Sequence, residues 1–235
     1  MSDQTTVLQF EAVTVTAERD YDVGLTGVSF EVAAGELMLV LLDKQHPRTP
    51  LADAAEGLAI PHAGRVAFLR QDWTAMSADG AAAGRARIGR VFRGTAWLSN
   101  LDVDENITLR ERHTTQRSVQ EIEEEALALA RTFGLDDLPR LRPAWMSRKD
   151  LMRAQWVRAL LGRPALLLLE SPEADVTDSH LAALGAALAQ ARGRGAAIVW
   201  FTSDLLVWND RSLQPQARYA LRGQELVRSS EEMKG

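Results

Sequence analysis

Cysteine is absent from the sequence, which excludes disulfide bonds and metal sites built on thiolates. Long apolar runs are absent too: the longest, at residues 37–42 and 165–169, are far too short to cross a bilayer. The N-terminus, MSDQTTVLQF, lacks the cationic and apolar parts of a signal peptide. These absences predict a soluble protein of the cytoplasm.

An excess of positive charge is also missing. The formal net charge is −5, from 27 Lys and Arg against 32 Asp and Glu, which argues against general nucleic-acid binding. With 235 residues and 46% hydrophobic residues, the chain suits one sizeable domain, or a core with a smaller inserted subdomain.

Apolar and polar residues alternate at residues 7–15 and 25–32, which predicts two strands. The unbroken apolar run at residues 37–42 is typical of a strand buried on both faces. Further strands are predicted at residues 64–69, 88–92, 165–169, 196–202, 219–221 and 225–227, the last two forming a hairpin.

Helical periodicity begins at Ser118, which forms a capping-box pattern with Glu121. Another helix is predicted to begin at Ser147, and shorter helical patterns lie at residues 51–58 and 178–192. Strands that alternate with helices indicate an α/β fold.

Taken in order, these elements resemble the ATP-binding subunit of ABC transporters along nearly the whole chain. The stretches that carry the resemblance are LTGVSFEVAAGELMLVLL, ARIGRVFRGTAWLSNLDVDENI, MSRKDLMRAQWVRALLGRPALLLLESPEADVTD, IVWFTSD and ALRGQELVRSS. The resemblance implies a P-loop-NTPase-like core, in which helices flank a mixed sheet, with an antiparallel β subdomain. It also implies one domain over residues 1–235, with a helical subdomain inserted at about residues 93–160.

The phosphate loop of that family, G-x-x-x-x-G-K-[ST], wraps backbone N–H groups around phosphates. Here Leu42 and Pro47 stand at the two glycine positions, and proline has no N–H to donate. Asp43 adds a negative charge near the place of the phosphates. Arg48 and Thr49 stand at the Lys and Ser/Thr positions and are the remaining candidates for weak contact with a cofactor.

Only one acidic residue, Glu170, remains where the family has a magnesium ligand followed by a catalytic glutamate. If Pro172 sets the register, Glu170 stands at the magnesium position and Ser171 replaces the catalytic glutamate. If the register is shifted by one, Glu170 is the catalytic acid and Leu169 stands at the metal position. Either alternative leaves one role empty, so we predict no working catalytic residue and no metal site.

At the other motif positions, too, the residues with which the family contacts nucleotide are replaced. Arg93 stands at the Q-loop glutamine and Ser203 at the switch histidine. The residues equivalent to the signature motif are Ser147, Arg148, Lys149 and Asp150. The first and last of these are interpreted as a helix cap. The two basic residues crowd the approach of a phosphate, although their charge attracts it.

Surface contacts are suggested by two neighbouring segments. The resemblance makes Trp97, Leu98 and Leu101 candidates for docking a permease helix, with internal packing as the alternative. The arginines at positions 85, 87, 90 and 93 are interpreted as a solvated basic face, with acidic loops or lipid headgroups as alternative partners. The stretch FRGTAWLSNLDVDENITLRERHT is most similar to the ATPases of MCE/Mla-type lipid transporters.

The resemblance, with these departures, implies a non-catalytic subunit of a bacterial ABC transporter at the inner face of the cell membrane. Its expected partners are a transmembrane permease and either a second ABC ATPase subunit or a second copy of the chain, without nucleic acid. No cofactor is expected. Two alternatives stay open: a divergent ATPase that hydrolyses Mg-ATP, and a sensor that binds nucleotide without hydrolysis.

Overall fold

A computed structural model of the chain describes residues 5–17, 20–94 and 96–229. The strands in chain order are β1 (Thr6–Val15), β2 (Leu25–Ala33), β3 (Leu37–Leu41), β4 (Ala63–Phe68), β5 (Gln71–Asp72), β6 (Ile88–Val91), β7 (Leu166–Glu170), β8 (Ala197–Thr202), β9 (Ala217–Arg222) and β10 (Glu225–Arg228). The α-helices are α1 (Leu51–Ala55), α2 (Ala78–Arg85), α3 (Val103–Thr114), α4 (Val119–Thr132), α5 (Arg148–Leu160), α6 (Asp178–Gly193) and α7 (Leu205–Asn209).

The strands form two sheets. The first is antiparallel, in the order β2-β1-β4-β5. The second is mixed, in the order β10-β9-β3-β8-β7-β6. Its strands from β9 to β6 run parallel, and β10 turns back on β9 as a hairpin. The carboxyl ends of β3, β6, β7 and β8 therefore lie along one edge of the mixed sheet, the edge at which open α/β sheets hold their sites.

Both faces of the mixed sheet are covered, because successive side chains of its central strands enter two different cores. In β3, Leu37 and Leu39 pack with the helices α3 to α6, whereas Met38 and Val40 pack with α1 and the antiparallel sheet. The same division holds in β7 and β8. This packing explains why these strands are unbroken apolar runs in the sequence.

The strands expected from the alternating and apolar runs are confirmed to within about two residues at each end. The capping box of Ser118 and Glu121 begins α4, as predicted. The helix expected at residues 51–58 is shorter, since α1 ends at Ala55 and Leu58 is exposed.

The sequence patterns did not predict α2, α3 and α7. In α3 the buried face includes Asn106, Thr108 and Glu111 beside Val103 and Ile107, so no continuous apolar stripe marks the helix. Asn106 instead binds backbone groups: it accepts a hydrogen bond from Leu98 N and donates to the carbonyls of residues 98, 101 and 102. The helix α2 buries none of its residues.

Candidate functional site

The segment between β3 and α1 stands where a phosphate loop is expected. The Asp43 side chain accepts a hydrogen bond from Gln45 N at 2.8 Å, which closes a local turn. The helix α1 begins only at Leu51, after Pro50 at its N-cap, where no side chain caps the helix. Both candidate cofactor contacts, Arg48 and Thr49, therefore precede the helix and are not in its first turn.

Arg48 is held by Asp22 in a compact ion pair. Its backbone N, Nε and Nη2 all donate to the Asp22 carboxylate, at 2.9, 3.1 and 2.7 Å, and Asp22 N donates to Arg48 O at 2.8 Å. These contacts lower the pKa of Asp22. The charge that the sequence offered for a phosphate is thus directed at a carboxylate of the chain itself.

The site contains a group of four charged residues, Arg90, Asp53, Glu56 and Glu170, which we name the Arg90 cluster. Arg90 and Glu56 are buried, and the other two are partly buried. Nη1 of Arg90 lies 2.6 Å from Asp53 Oδ1 and 2.7 Å from Glu56 Oε2. Its Nε and Nη2 both lie 2.7 Å from Glu170 Oε1. The arginine side chain is only 7% exposed, so the basic face proposed at positions 85 to 93 is wrong for this residue.

The electrostatics of the Arg90 cluster are unbalanced. One guanidinium faces three carboxylates. Burial raises the pKa of Glu56 and of Glu170, and the opposing effect of Arg90 does not cancel it. Tyr21 also faces the cluster, because its hydroxyl donates to Asp53 Oδ2 at 2.8 Å, and burial with this contact raises the Tyr21 pKa. Glu170, the one carboxylate left for magnesium or catalysis, is therefore bound to an arginine.

Arg93 and Ser171, two predicted site positions far apart in sequence, are in direct contact. Arg93 Nη2 donates to Ser171 Oγ at 2.8 Å. Ser171 follows β7 with a left-handed backbone (φ 48°), and its N donates to Phe201 O of β8. Ser203 lies just after the carboxyl end of β8 and is half-buried. Arg93, Ser171 and Ser203 thus follow the carboxyl ends of β6, β7 and β8 at one edge of the mixed sheet.

Glu173 is a site residue that the sequence reading missed. Its Oε2 accepts a hydrogen bond from Trp200 Nε1 at 3.0 Å, and its Oε1 accepts one from Thr202 Oγ1. Burial raises the pKa of Glu173. The signal for it in the sequence is a second carboxylate directly after Glu170-Ser171-Pro172.

The signature-equivalent residues form the start of α5. Ser147 Oγ accepts a hydrogen bond from Asp150 N at 3.1 Å, so the interpretation as a helix cap is confirmed. Asp150 in turn pairs with Arg153 one turn later. Arg148 and Lys149 are exposed, as is Trp145, just before the helix.

The three docking candidates are in different environments. Trp97 is half-buried against the helical core, and the guanidinium of Arg158 stacks 4.5 Å from its ring. Leu98 is exposed, at 50% of its surface, whereas Leu101 is less exposed and only partly accessible. Of the three candidates, Leu98 therefore offers the largest exposed fraction to a partner, about half of its surface, and internal packing accounts for Trp97.

Two further properties concern ligands and membranes. Within residues 5–17, 20–94 and 96–229, no group of three or more His, Cys, Asp or Glu is arranged to hold a metal ion. Across the same residues, no helix has both the length and the apolar character needed to cross a membrane.

Solved structures share this architecture. A dimeric ATP-binding cassette with bound ADP and Pi superposes with a TM-score of 0.82 at 20% identity, covering 97% of this chain and 99% of that one. The ATP-binding subunit of an ABC transporter superposes with a TM-score of 0.79 at 18% identity, covering 95% and 89% of the two chains. At these identities the likeness establishes the fold.

Sequence relatives are also found. The phosphonates import ATP-binding protein PhnC 1 of Rhodopseudomonas palustris is 28% identical over 177 residues, which is 72% of this chain and 65% of the relative. The methionine import protein MetN of Streptomyces coelicolor is 33% identical over 150 residues, 61% of this chain. A sulfate/thiosulfate import protein, CysA of Xylella fastidiosa, is 31% identical over 151 residues. The chain spans 42% of the length of each of these last two, and no protein-family model matches it.

Proposed function

Because this chain carries an ATP-binding-cassette domain of the ABC-transporter type, we propose that it is a non-catalytic subunit of a bacterial ABC transporter, a structural or regulatory partner of a transmembrane permease. The observation that carries this proposal is the ion pair between Glu170 and Arg90. Phosphoryl transfer depends on charges placed around the phosphates and on an ordered attacking water. A carboxylate that already binds an arginine is not available for either task.

Mg-ATP does not fit the residues that surround its expected place. Pro47 has no N–H for a phosphate oxygen, and the donors of Arg48 point to Asp22. In the register set by Pro172, Ser171 stands at the place of the catalytic glutamate; its hydroxyl accepts from Arg93 and is no general base at neutral pH. Weak or absent nucleotide binding is therefore part of the proposal.

The proposal predicts no response to nucleotide. In a thermal melt of the purified chain, millimolar Mg-ATP should leave the midpoint unchanged, and no phosphate should be released. A chain that binds ATP is stabilised instead, by about 2.7 kcal/mol at a ligand concentration a hundred times its dissociation constant. Turnover that Glu170→Gln abolishes would establish the divergent ATPase in place of this proposal. A shift of the melt without turnover would establish the nucleotide sensor.

The permease contact is proposed at Leu98, the candidate that stays exposed. Affinity purification of the tagged chain from detergent-solubilised membranes of its source organism should recover a polytopic membrane protein, identified by mass spectrometry. Leu98→Asp should reduce that recovery several-fold, because a charge opposes burial in an apolar contact. Ile60→Asp is the matched control, since Ile60 is an exposed aliphatic residue at 71% and lies outside residues 94–101. Recovery of no membrane protein would contradict the role.

The remaining partners and the cargo follow from the same proposal. We propose a second cassette subunit, or a second copy of this chain, because cassettes of this fold are seen as dimers. Lipid is the proposed cargo, on the strength of the segment after Phe92 that resembles MCE/Mla-type ATPases. The relatives are named for phosphonates, sulfate/thiosulfate and methionine. The proposed location is the inner face of the cell membrane, at the permease.

A further inference from the structure

We propose that Arg90 is a built-in cation: its guanidinium takes the place that a bound metal would have beside Glu170 and ties α1 to the ends of β6 and β7 without any ligand. This assignment deepens the proposed function and rests on it. It also gives the chain a property that loss of catalysis alone does not require: the side chain of Arg90 holds the site in its folded form, and no bound ligand is needed.

The geometry supports a cation with a positioning role. The three carboxylates come from two separate elements, Asp53 and Glu56 from α1 and its C-cap, and Glu170 from the end of β7. They converge on one side chain of β6, with N···O distances of 2.6 to 2.7 Å. Distances this short are typical of charge-assisted hydrogen bonds. The guanidinium thus joins three elements that meet at the edge of the mixed sheet.

The burial of the guanidinium separates it from a surface ion pair. Arg90 is 7% exposed and Glu56 is 10% exposed, whereas the pair of Arg65 and Glu11 is 55% and 42% exposed. Surface pairs contribute little to stability, but removal of one member of a buried pair leaves uncompensated charge. The ring of Phe92 covers the guanidinium at 4.4 Å from its carbon to the ring centre. Arg90 is therefore held from several sides.

The chain provides a matched control in Arg158. This arginine is partly buried and also faces Phe92, at 5.5 Å. Its donors go to Ala96 O at 2.6 Å and to Gln155 Oε1 at 3.5 Å. Burial, together with the positive charge of Arg110, lowers the pKa of Arg158 to about 10. Neighbouring carboxylates would raise this pKa instead. Methionine at either position removes one positive charge beside the same ring, but only loss of Arg90 leaves carboxylates without a partner.

A double-mutant cycle in the full chain tests the assignment. Arg90→Met should lower the melting midpoint by about 5–10 °C, because one buried and two partly buried carboxylates lose their counter-charge. Adding Glu56→Gln should restore at least half of that loss, since it removes one of the opposing charges. The same Glu56→Gln change in an Arg158→Met background should restore nothing. Additive losses in the Arg90 cycle would overturn the proposal.

Two further measurements keep the test decisive. If Arg90→Met does not fold, Arg90→Lys takes its place in the cycle, because lysine keeps the charge but cannot reach all three carboxylates with a planar fork. In the unmodified chain, millimolar MgCl2 or MnCl2 should not shift the melt. A metal-dependent rise that Glu170→Gln removes would show that metal still competes for this carboxylate, and would overturn the proposal.

The two proposals fail in different experiments. ATP turnover that Glu170→Gln abolishes would remove the proposed function, whereas the Arg90 cycle is measured by melting and does not depend on turnover. Additive effects of Arg90→Met and Glu56→Gln would contradict the role of Arg90 as a built-in cation. They would not affect the prediction that the chain does not turn over ATP.

Discussion

Replacement of Trp156 by alanine is expected to lower the free energy of unfolding by about 3–5 kcal/mol. The side chain is fully buried in α5, and its ring meets the edge of Phe133 with 5.3 Å between centroids. Its Nε1 donates to Pro172 O at 3.2 Å, so the ring also joins the helix to the segment after β7. Alanine removes the packing and leaves that carbonyl without its donor.

Chemical denaturation of the variant and the parent chain measures this loss. Trp145→Ala is the matched control, because Trp145 is 79% exposed and lies just before the same helix. We expect the control to stay within about 0.5 kcal/mol of the parent chain. Equal losses for the two variants would contradict the packing described for α5.

Gly89→Ala is expected to destabilise the fold by about 3 kcal/mol or more, at the upper end of overpacking costs. A Cβ at Gly89 would lie 1.9 Å from Ala159 O and 2.8 Å from a Leu167 methyl group. The first of these is backbone of α5 and cannot rotate away. The helix would have to move off β6, the strand that carries Arg90, and the Arg90 cluster would shift with it.

The control for this substitution is Gly185→Ala in α6. A Cβ there meets no atom within 4 Å, and Gly185 lies within the helix. Alanine should therefore stabilise the chain by about 0.5–1 kcal/mol, through its better helix propensity. Thermal and chemical denaturation of both variants checks that Gly89→Ala lowers the stability of the chain and Gly185→Ala raises it. A Gly89→Ala chain as stable as its parent would show that α5 does not approach β6 so closely.

The features that the sequence predicted are those fixed by neighbouring residues. The strand at residues 37–41 follows from its apolar run, and the caps at Ser118 and Ser147 follow from contacts three residues apart. Such patterns are local, so one sequence suffices to find them.

The features that the sequence did not predict depend on distant pairs. Arg90 meets Glu56 and Glu170 across 34 and 80 residues of chain, so no spacing rule connects them. Its position in a run of arginines favoured a solvated face instead. The helix α3 was missed for a different reason. Its buried polar side chains bind groups close by in the chain, since Asn106 accepts from Leu98 N and Thr108 Oγ1 donates to Asp104 O. Hydrogen bonds to neighbouring backbone groups replace the apolar stripe there.

The exposure of Trp145 gives the chain an intrinsic optical reporter. The sequence has six tryptophans, and four of them, Trp73, Trp156, Trp200 and Trp208, are buried. Trp97 is half-buried under Arg158, so acrylamide in solution reaches mainly the indole before α5. Collisional quenching of the native emission therefore monitors one end of one helix. A second subunit that covers this end would protect the emission from the quencher without any label on either protein.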